Sequence, residues 1–388
     1  MFRRPVDQLL GFGDRRNAAE HIFKTIAKNG LVRNIFNLGR AARFIDDAAR
    51  SVAAILGVSP AEIAFTSGAT EANNIAIIGG AKAIAALNSH RRNVVISAIE
   101  HTAIIEPARA LVEHGFEIRL APVLHEGVVD TAQLETLVDE NTAIVSVMAA
   151  NNETGAIQPV REVIRIARNA GALVHSDLAQ AYGKIPLDDI AADLDYASVS
   201  AHKIYGPQGV GALYVAAGSL APQPISFGGG QQGARRPGTL PVGLIAGFGA
   251  AAEVAGRRMV ADRSRLEALI TDVIKILQAH RLNVQQVGRG AGTIPGTAAL
   301  RVAGLDADEL CMMLAYRVCI STGSACNSGQ ISSSHVLRAL GLKSHETSEI
   351  FRLCLPRDLS DEDARAAANL IGQAAARQIR TGRPVQAC

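Results

Sequence analysis

Lys203 closes a run of small and β-branched residues, Tyr196-Ala-Ser-Val-Ser200, just ahead of a Gly206-Pro207 turn, and a second strand-like run follows over Val210–Val215. An ammonium drawn out of water at such a junction has a lowered pKa, and a readily deprotonated amine is what a Schiff base requires. A solvated lysine closing a strand would fit the same letters. Cys326 lies in Ser321–Ser334, a stretch of Ser, Gly, Asn and Thr with little to pack. A thiol exposed there is either a candidate nucleophile or an inert surface cysteine. Arg352 sits among apolar neighbours in Glu349–Leu355, so its guanidinium needs a carboxylate, internal or from a substrate. Ser67-Gly-Ala-Thr-Glu-Ala-Asn-Asn74 joins a strand over Glu62–Thr66 to an apolar helix over Ile75–Leu87. Free N–H groups at that junction suit a phosphate, although Ser67 or Thr70 could equally cap the helix.

These side chains need a frame, and the chain supplies alternating strands and helices. Helical periodicity covers Asn17–Lys28 and Asn37–Leu56, the second with an apolar stripe through Phe44, Ala48, Val52 and Ile55. Strands over Val94–Ala98, Phe116–Ala121, Ala143–Ala149 and Ala172–Ser176 alternate with helices over Ile104–His114, Thr131–Val138 and Val160–Asn169. This order predicts an α/β fold with a mostly parallel sheet and helices on both faces. His101, Asn152, Asp177, Gln180, Ser200, His202 and Lys203 follow the carboxyl ends of those strands, the edge where open α/β sheets bind ligands. Phe227–Thr239, with three successive glycines and Arg235-Arg236, reads as a flexible cationic loop. Two long helices, Leu240–Ala255 and Ala261–His280, then lead into a smaller α+β region. It has a strand at Thr297–Val302, a helix at Asp306–Tyr316 and an Ala-rich tail helix from Asp361 to Ile379.

Composition narrows the partners. Hydrophobic residues at 48% and charged residues at 19% describe an ordinary globular protein long enough, at 388 residues, for more than one domain. A net charge of +3, scattered Arg-Arg pairs, 4% aromatics and no Trp give neither a track nor a stacking platform for nucleic acid. Five cysteines without a C-x-x-C indicate neither a disulfide framework nor a metal site. Cys311, Cys319 and Cys354 fall in segments that look packed. The first residues lack a secretory apolar region and no run is long enough to span a bilayer, so the reading is cytoplasmic.

Several motifs fall in order along the chain: Thr66-Ser-Gly-Ala-Thr-Glu71, Glu100-His-Thr102, Asn151-Asn-Glu-Thr-Gly155 and His175-x-Asp-x-x-Gln180. Ser200-x-His-Lys-Ile-Tyr-Gly-Pro207, Arg236-x-Gly-Thr239 and Ser321-x-Gly-Ser-Ala-Cys326 continue the series. Together they closely resemble the cysteine desulfurases, class V members of the fold-type I pyridoxal-phosphate enzymes, and the last motif resembles the long-loop subgroup. The resemblance implies a divergent N-terminal segment 1–16, a cofactor-binding α/β domain 17–256, and a small α+β domain 257–388 with a mobile catalytic loop at 321–334. It implies pyridoxal 5'-phosphate held covalently by Lys203, with Asp177 on the pyridine nitrogen, His101 on the ring face, and Asn152 and Gln180 on the ring substituents. Ala69, Thr70, Ser200 and His202 would bind the phosphate, with Thr239 reaching in from the other subunit of a homodimer. Arg352, with Asn152, would bind the carboxylate of L-cysteine. Cys326 would take the sulfur as a persulfide and pass it to an acceptor or scaffold protein, for iron–sulfur cluster assembly or tRNA thiolation. A selenocysteine lyase, another class V aminotransferase or lyase, and a weakly catalytic binding partner are the alternatives. The chain departs from the family pattern before Gly39-Arg-Ala-Ala-Arg43, where Asp-x-x-Ala-Thr-Thr-Pro and Gly-Asn-Pro-Ser-Ser-x-His segments would be expected.

Overall fold

The computed structural model describes residues 35–290, 292–322 and 334–381. The expected helix at Asn17–Lys28 and the segment 1–16 lie outside these residues. The sheet has seven strands in the order β1-β7-β6-β5-β4-β2-β3. They are β1 (Ile63–Thr66), β2 (Asn93–Ser97), β3 (Glu117–Ala121), β4 (Thr142–Ser146), β5 (Leu173–Asp177), β6 (Tyr196–Ser200) and β7 (Gly211–Val215). The neighbours from β3 through β6 pair in parallel, and β7 is antiparallel to both β6 and β1. Strands β2, β4, β5, β6 and β7 are buried along their whole length, as strands covered on both faces must be.

Alternate residues feed two cores. Val95, Val145, Val174 and Val199 face the helices Ile35–Leu56, Val160–Asn169 and the first half of Val242–Ala279. Val94, Ile96, Ile144 and Leu173 face the opposite layer, formed by Ile75, Ile77 and Ala81 with Ile104 and Ala108 of the helix Thr102–Ala110. A second, antiparallel sheet has the order β10-β11-β9-β8, with β8 at Val284–Val287, β9 at Thr297–Val302, β10 at Ser321–Thr322 and β11 at Ile350–Cys354. Strands β8 and β10 carry too few apolar residues to announce themselves in the sequence. The sheet's core joins Leu300, Phe351 and Leu353 to Leu269, Val273 and Ala368.

Two expectations about helices are corrected. The predicted pair Leu240–Ala255 and Ala261–His280 is one helix of 38 residues, Val242–Ala279. Gly256 weakens a helix by about 1 kcal/mol relative to Ala but does not stop one, as a proline would. An ion pair from Arg257 to Glu253 crosses it at i,i+4 spacing, and one from Arg258 to Asp262 follows directly. The helix buries Ile245, Phe248 and Ala252 in the large core and Leu266, Leu269 and Val273 in the small one, so the expected boundary at 256 falls inside it. The helix expected from Ile75 starts at Ala69 and continues through a π-helical turn, Ile75–Gly79, into Gly80–Leu87. Ala69, Thr70 and Glu71 therefore form its first turn, and Ser67 lies outside it.

That helix start is fixed by one close approach. Gly68 has φ 155° and ψ 178°, a conformation side chains rarely adopt, and it packs directly on β7 at Gly211. A Cβ at Gly211 would stand 2.7 Å from the Gly68 Cα and 2.5 Å from the Val199 carbonyl oxygen, both backbone atoms. Gly211→Ala is therefore expected to lower stability by about 3 kcal/mol, the upper range for overpacking, in denaturant titration. A midpoint equal to the parent's would show that the two backbones separate freely.

Candidate active site

A cavity of about 850 Å³ opens at the carboxyl ends of the parallel strands and runs to the edge of the small sheet. Its floor is the Gly68 turn. The first turn of the helix points the Ala69 and Thr70 N–H groups at the cavity wall, where Ser200 and His202 stand with Ser200 Oγ 2.9 Å from His202 Nδ1. Amide donors, a hydroxyl, an imidazole and a helix N-terminus together suit an anion.

Lys203 follows in the 3-10 turn Ala201–Ile204, which Tyr205 ends in the left-handed conformation at φ 69°. Arg357, three residues beyond β11, holds this turn. The Tyr205 hydroxyl accepts the Arg357 N–H at 2.8 Å, and the Arg357 guanidinium lies 4.5 Å over the Tyr205 ring.

Asp177 ends β5 with 7% exposure. Asn73 Nδ2 donates to its Oδ2 at 2.7 Å and the Ala179 N–H donates to its Oδ1 at 2.9 Å. Burial pushes this carboxyl up, while the two hydrogen bonds and the charges of His101 and Lys203 pull it back. No cation is in ion-pair contact with it among the described residues, so the carboxyl is buried at the cavity wall without a counterion in contact.

His101 caps the helix Thr102–Ala110, its Nδ1 accepting the Ala103 N–H at 3.1 Å. With Nδ1 an acceptor, the neutral ring carries its proton on Nε2. Burial lowers the His101 pKa and favours that neutral ring.

Asn152 and Gln180 line the same cavity. Arg352 reaches it from β11, its Nη1 on the Asn152 carbonyl oxygen at 3.1 Å and its Nε and Nη2 on Ser321 Oγ at 3.2 and 3.1 Å. Of the two partners open to its guanidinium, no internal carboxylate is in ion-pair contact with it among the described residues, and Glu153 acts on it only through a longer-range attraction.

The structure thus gathers Ala69, Thr70, His101, Asn152, Asp177, Gln180, Ser200, His202, Lys203 and Arg352 around one cavity. Cys326 lies outside the described residues. Thr239 is exposed and does not line its own chain's cavity. The loop before it is anchored, not free as its glycines suggested. Gln232 pairs with both backbone groups of Phe65, at 2.5 and 2.9 Å, and Arg236 pairs with Glu71 at 2.9 Å. Cys354 and Cys319 are exposed rather than packed, and Cys354 stands in the cavity wall. It ends β11 two positions beyond Arg352, on the same face, so the apolar letters around it concealed an open position.

Three groups carry no role in the sequence reading. Lys184 faces the cavity with Nζ 3.3 Å from Gln180 Oε1, and burial pulls its ammonium down to about 8. Its i+4 spacing from Gln180 was the available signal. Glu100 is fully buried, and burial raises its carboxyl to about 8 despite hydrogen bonds from Ser97 Oγ at 2.5 Å and the Met148 N–H at 2.8 Å. His335 hydrogen-bonds the Glu100 carbonyl oxygen at 2.9 Å, a contact across 235 residues that no local pattern signals.

Residues 17–354 match the family described as aminotransferase class-V. The cysteine desulfurase IscS of Rickettsia peacockii (strain Rustic) is 37% identical over 334 residues, covering 85% of this chain and 80% of the relative. The mitochondrial cysteine desulfurase of Drosophila melanogaster is 40% identical over 298 residues, 76% of this chain and 64% of the fly protein. Among solved structures, a NifS-like protein superposes with a TM-score of 0.82 at 32% identity, covering 92% of this chain and 94% of that one. SspA in complex with cysteine gives a TM-score of 0.74 at 30% identity, over 87% of this chain and 94% of that one. On this breadth of match, the chain belongs to the class-V aminotransferase family, among its cysteine desulfurases.

Proposed function

We propose that the chain removes sulfur from L-cysteine with pyridoxal 5'-phosphate as cofactor, releases L-alanine, and receives the sulfur on Cys326. The observation that carries the reading is Asp177, a buried carboxylate with no ion-pair partner among the described residues, in a cavity that also presents Lys203 and Arg352. The family is pyridoxal-phosphate-dependent, and the donor set fits that group. The Gly68 turn with Ser200 and His202 takes a phosphate, Asp177 takes a ring N–H, and Lys203 supplies an amine for the aldehyde. When bound, pyridoxal phosphate supplies an electron sink for charge developing on the substrate carbon.

The chain's own residues do the rest. Asp177, oriented by Asn73 and Ala179, would hold a proton on the ring nitrogen and so keep the sink effective. His101, committed as an acceptor at Nδ1, would face the cofactor from the cavity wall and could give or take a proton at Nε2. Arg352 binds the substrate carboxylate. Lys203 would supply the amine that holds the cofactor and, as a free amine, would move the Cα proton. The Cys326 thiolate attacks the substrate sulfur; an S–S bond forms as the C–S bond breaks, the electron pair stays with carbon, and protonation of that carbon gives alanine. An acceptor protein then takes the persulfide sulfur. The motif Arg236-x-Gly-Thr239 supports a homodimer in which Thr239 serves the other subunit's phosphate. No described helix is long and apolar enough to cross a membrane.

The assay is L-cysteine with a reductant, followed for sulfide and alanine, and equal amounts of both are expected. Alanine without sulfide, or neither, would remove the reading. Cys326→Ala should lose sulfide release by more than about 100-fold, as loss of a covalent nucleophile does, while Cys319→Ala behaves as the parent. Residual activity that disappears in a Cys326→Ala, Cys354→Ala double variant would move the acceptor role to Cys354.

Asp177→Asn tests the sink separately. An amide cannot stabilise a ring N–H⁺, so turnover should fall on the order of 100-fold, about 3 kcal/mol of barrier, while phosphate contacts retain the cofactor. Near-parent alanine production would reduce Asp177 to a structural role.

A further inference from the structure

Arg352 brings a permanent positive charge to the cavity wall, and what holds it is neutral. Ser321 lies directly opposite it in the β10–β11 pairing and accepts from both Nε and Nη2, and the Asn152 main-chain carbonyl accepts from Nη1. A guanidinium has five N–H donors in a planar fork. These contacts use the side edge, Nε with its neighbouring Nη2, and one N–H of Nη1. One N–H remains on each terminal nitrogen, enough for a carboxylate approaching the end of the fork. The chemistry of the partner matters as much as its place. A carboxylate at position 321 would hold the same edge but cancel the charge, whereas a hydroxyl oxygen fixes the orientation and leaves the charge for a ligand. An arginine without such a partner would lose rotamer freedom only when ligand arrives, at a cost in affinity. Ser321 itself lines the cavity, so the hydroxyl stands beside the ligand it prepares for.

We propose that Ser321 is a positioning residue that presets the Arg352 fork for an α-amino carboxylate and so selects amino acids over amines. The inference rests on the reading of Arg352 as the substrate's carboxylate partner. The test uses the cofactor-loaded enzyme and two probes that carry no sulfur: L-alanine, and ethylamine, which is L-alanine without its carboxylate. Dissociation constants come from calorimetric titration. In Ser321→Ala the L-alanine constant should rise about tenfold, the effect of losing hydrogen bonds to a charged group, while that of ethylamine stays within about twofold. Ser321→Thr keeps the hydroxyl on a strand-compatible residue and should restore L-alanine binding. With L-cysteine, Ser321→Ala should raise KM and leave kcat nearly unchanged, the signature of lost binding common to ground and transition states. An unchanged L-alanine constant in Ser321→Ala, or equal weakening of both probes, would overturn the inference. Arg352→Ala separates the two levels: if it leaves L-alanine binding intact, the assignment of Arg352 itself fails.

Discussion

A carboxylate inside a protein costs several kcal/mol unless something repays its lost hydration, and Asp177 is repaid only in part by the chain. Asn73 and Ala179 satisfy one lone pair on each oxygen, and the charge is left without a counterion among the described residues. A ligand carrying a positive N–H at that point recovers the remainder, so part of its affinity is stored in the protein before it binds. The fold is arranged to keep this charge in place. Asp177 ends a fully buried parallel strand, and Asn73 belongs to the helix whose start is set by the contact of Gly68 with Gly211. Shifting that turn would move both the anion cradle and the amide that orients Asp177.

The charge balance of the cavity follows from the same burial. Lys203, Lys184 and Arg352 face it as cations or amines, and Asp177 is the acid set among them at the strand ends. Burial raises the carboxyls of Glu100 and Glu153, Glu100 to about 8, which keeps Glu100 largely protonated at neutral pH. The carboxylate of an amino acid therefore meets cationic groups, Arg352 among them, that have no ion-pair partner here among the described residues.

The sequence made the frame legible because strands buried on both faces leave little choice of residue, and the βα alternation follows from them. It also made most of the cavity legible, since the residues after the strand ends must converge in such a sheet. What it concealed was decided by contacts between distant segments. Ser321 and Arg352 are 31 residues apart and meet through a two-residue strand too short to carry a pattern. His335 and Glu100 touch although 235 residues separate them in the chain. Gly256 looked like an interruption, but buried side chains on both sides of it hold one helix together. Cys354 looked packed because its neighbours in the strand are, while its own side faces the cavity.

The helix Val242–Ala279 is, at 38 residues and 1.5 Å per residue, a rod about 57 Å long. Each end is built into a different hydrophobic core, so it transmits torque between them instead of acting as a slack tether. A tilt of about 5° about one end carries the other through about 5 Å, from the rise per residue alone. Arg352 and the Arg357 that grips Tyr205 are both borne by the body at the far end. The leverage on the Lys203 turn is thus set by how readily this rod flexes, and the exposed Gly256, where the helix passes from one core to the other, is a position with little side-chain packing to stiffen it.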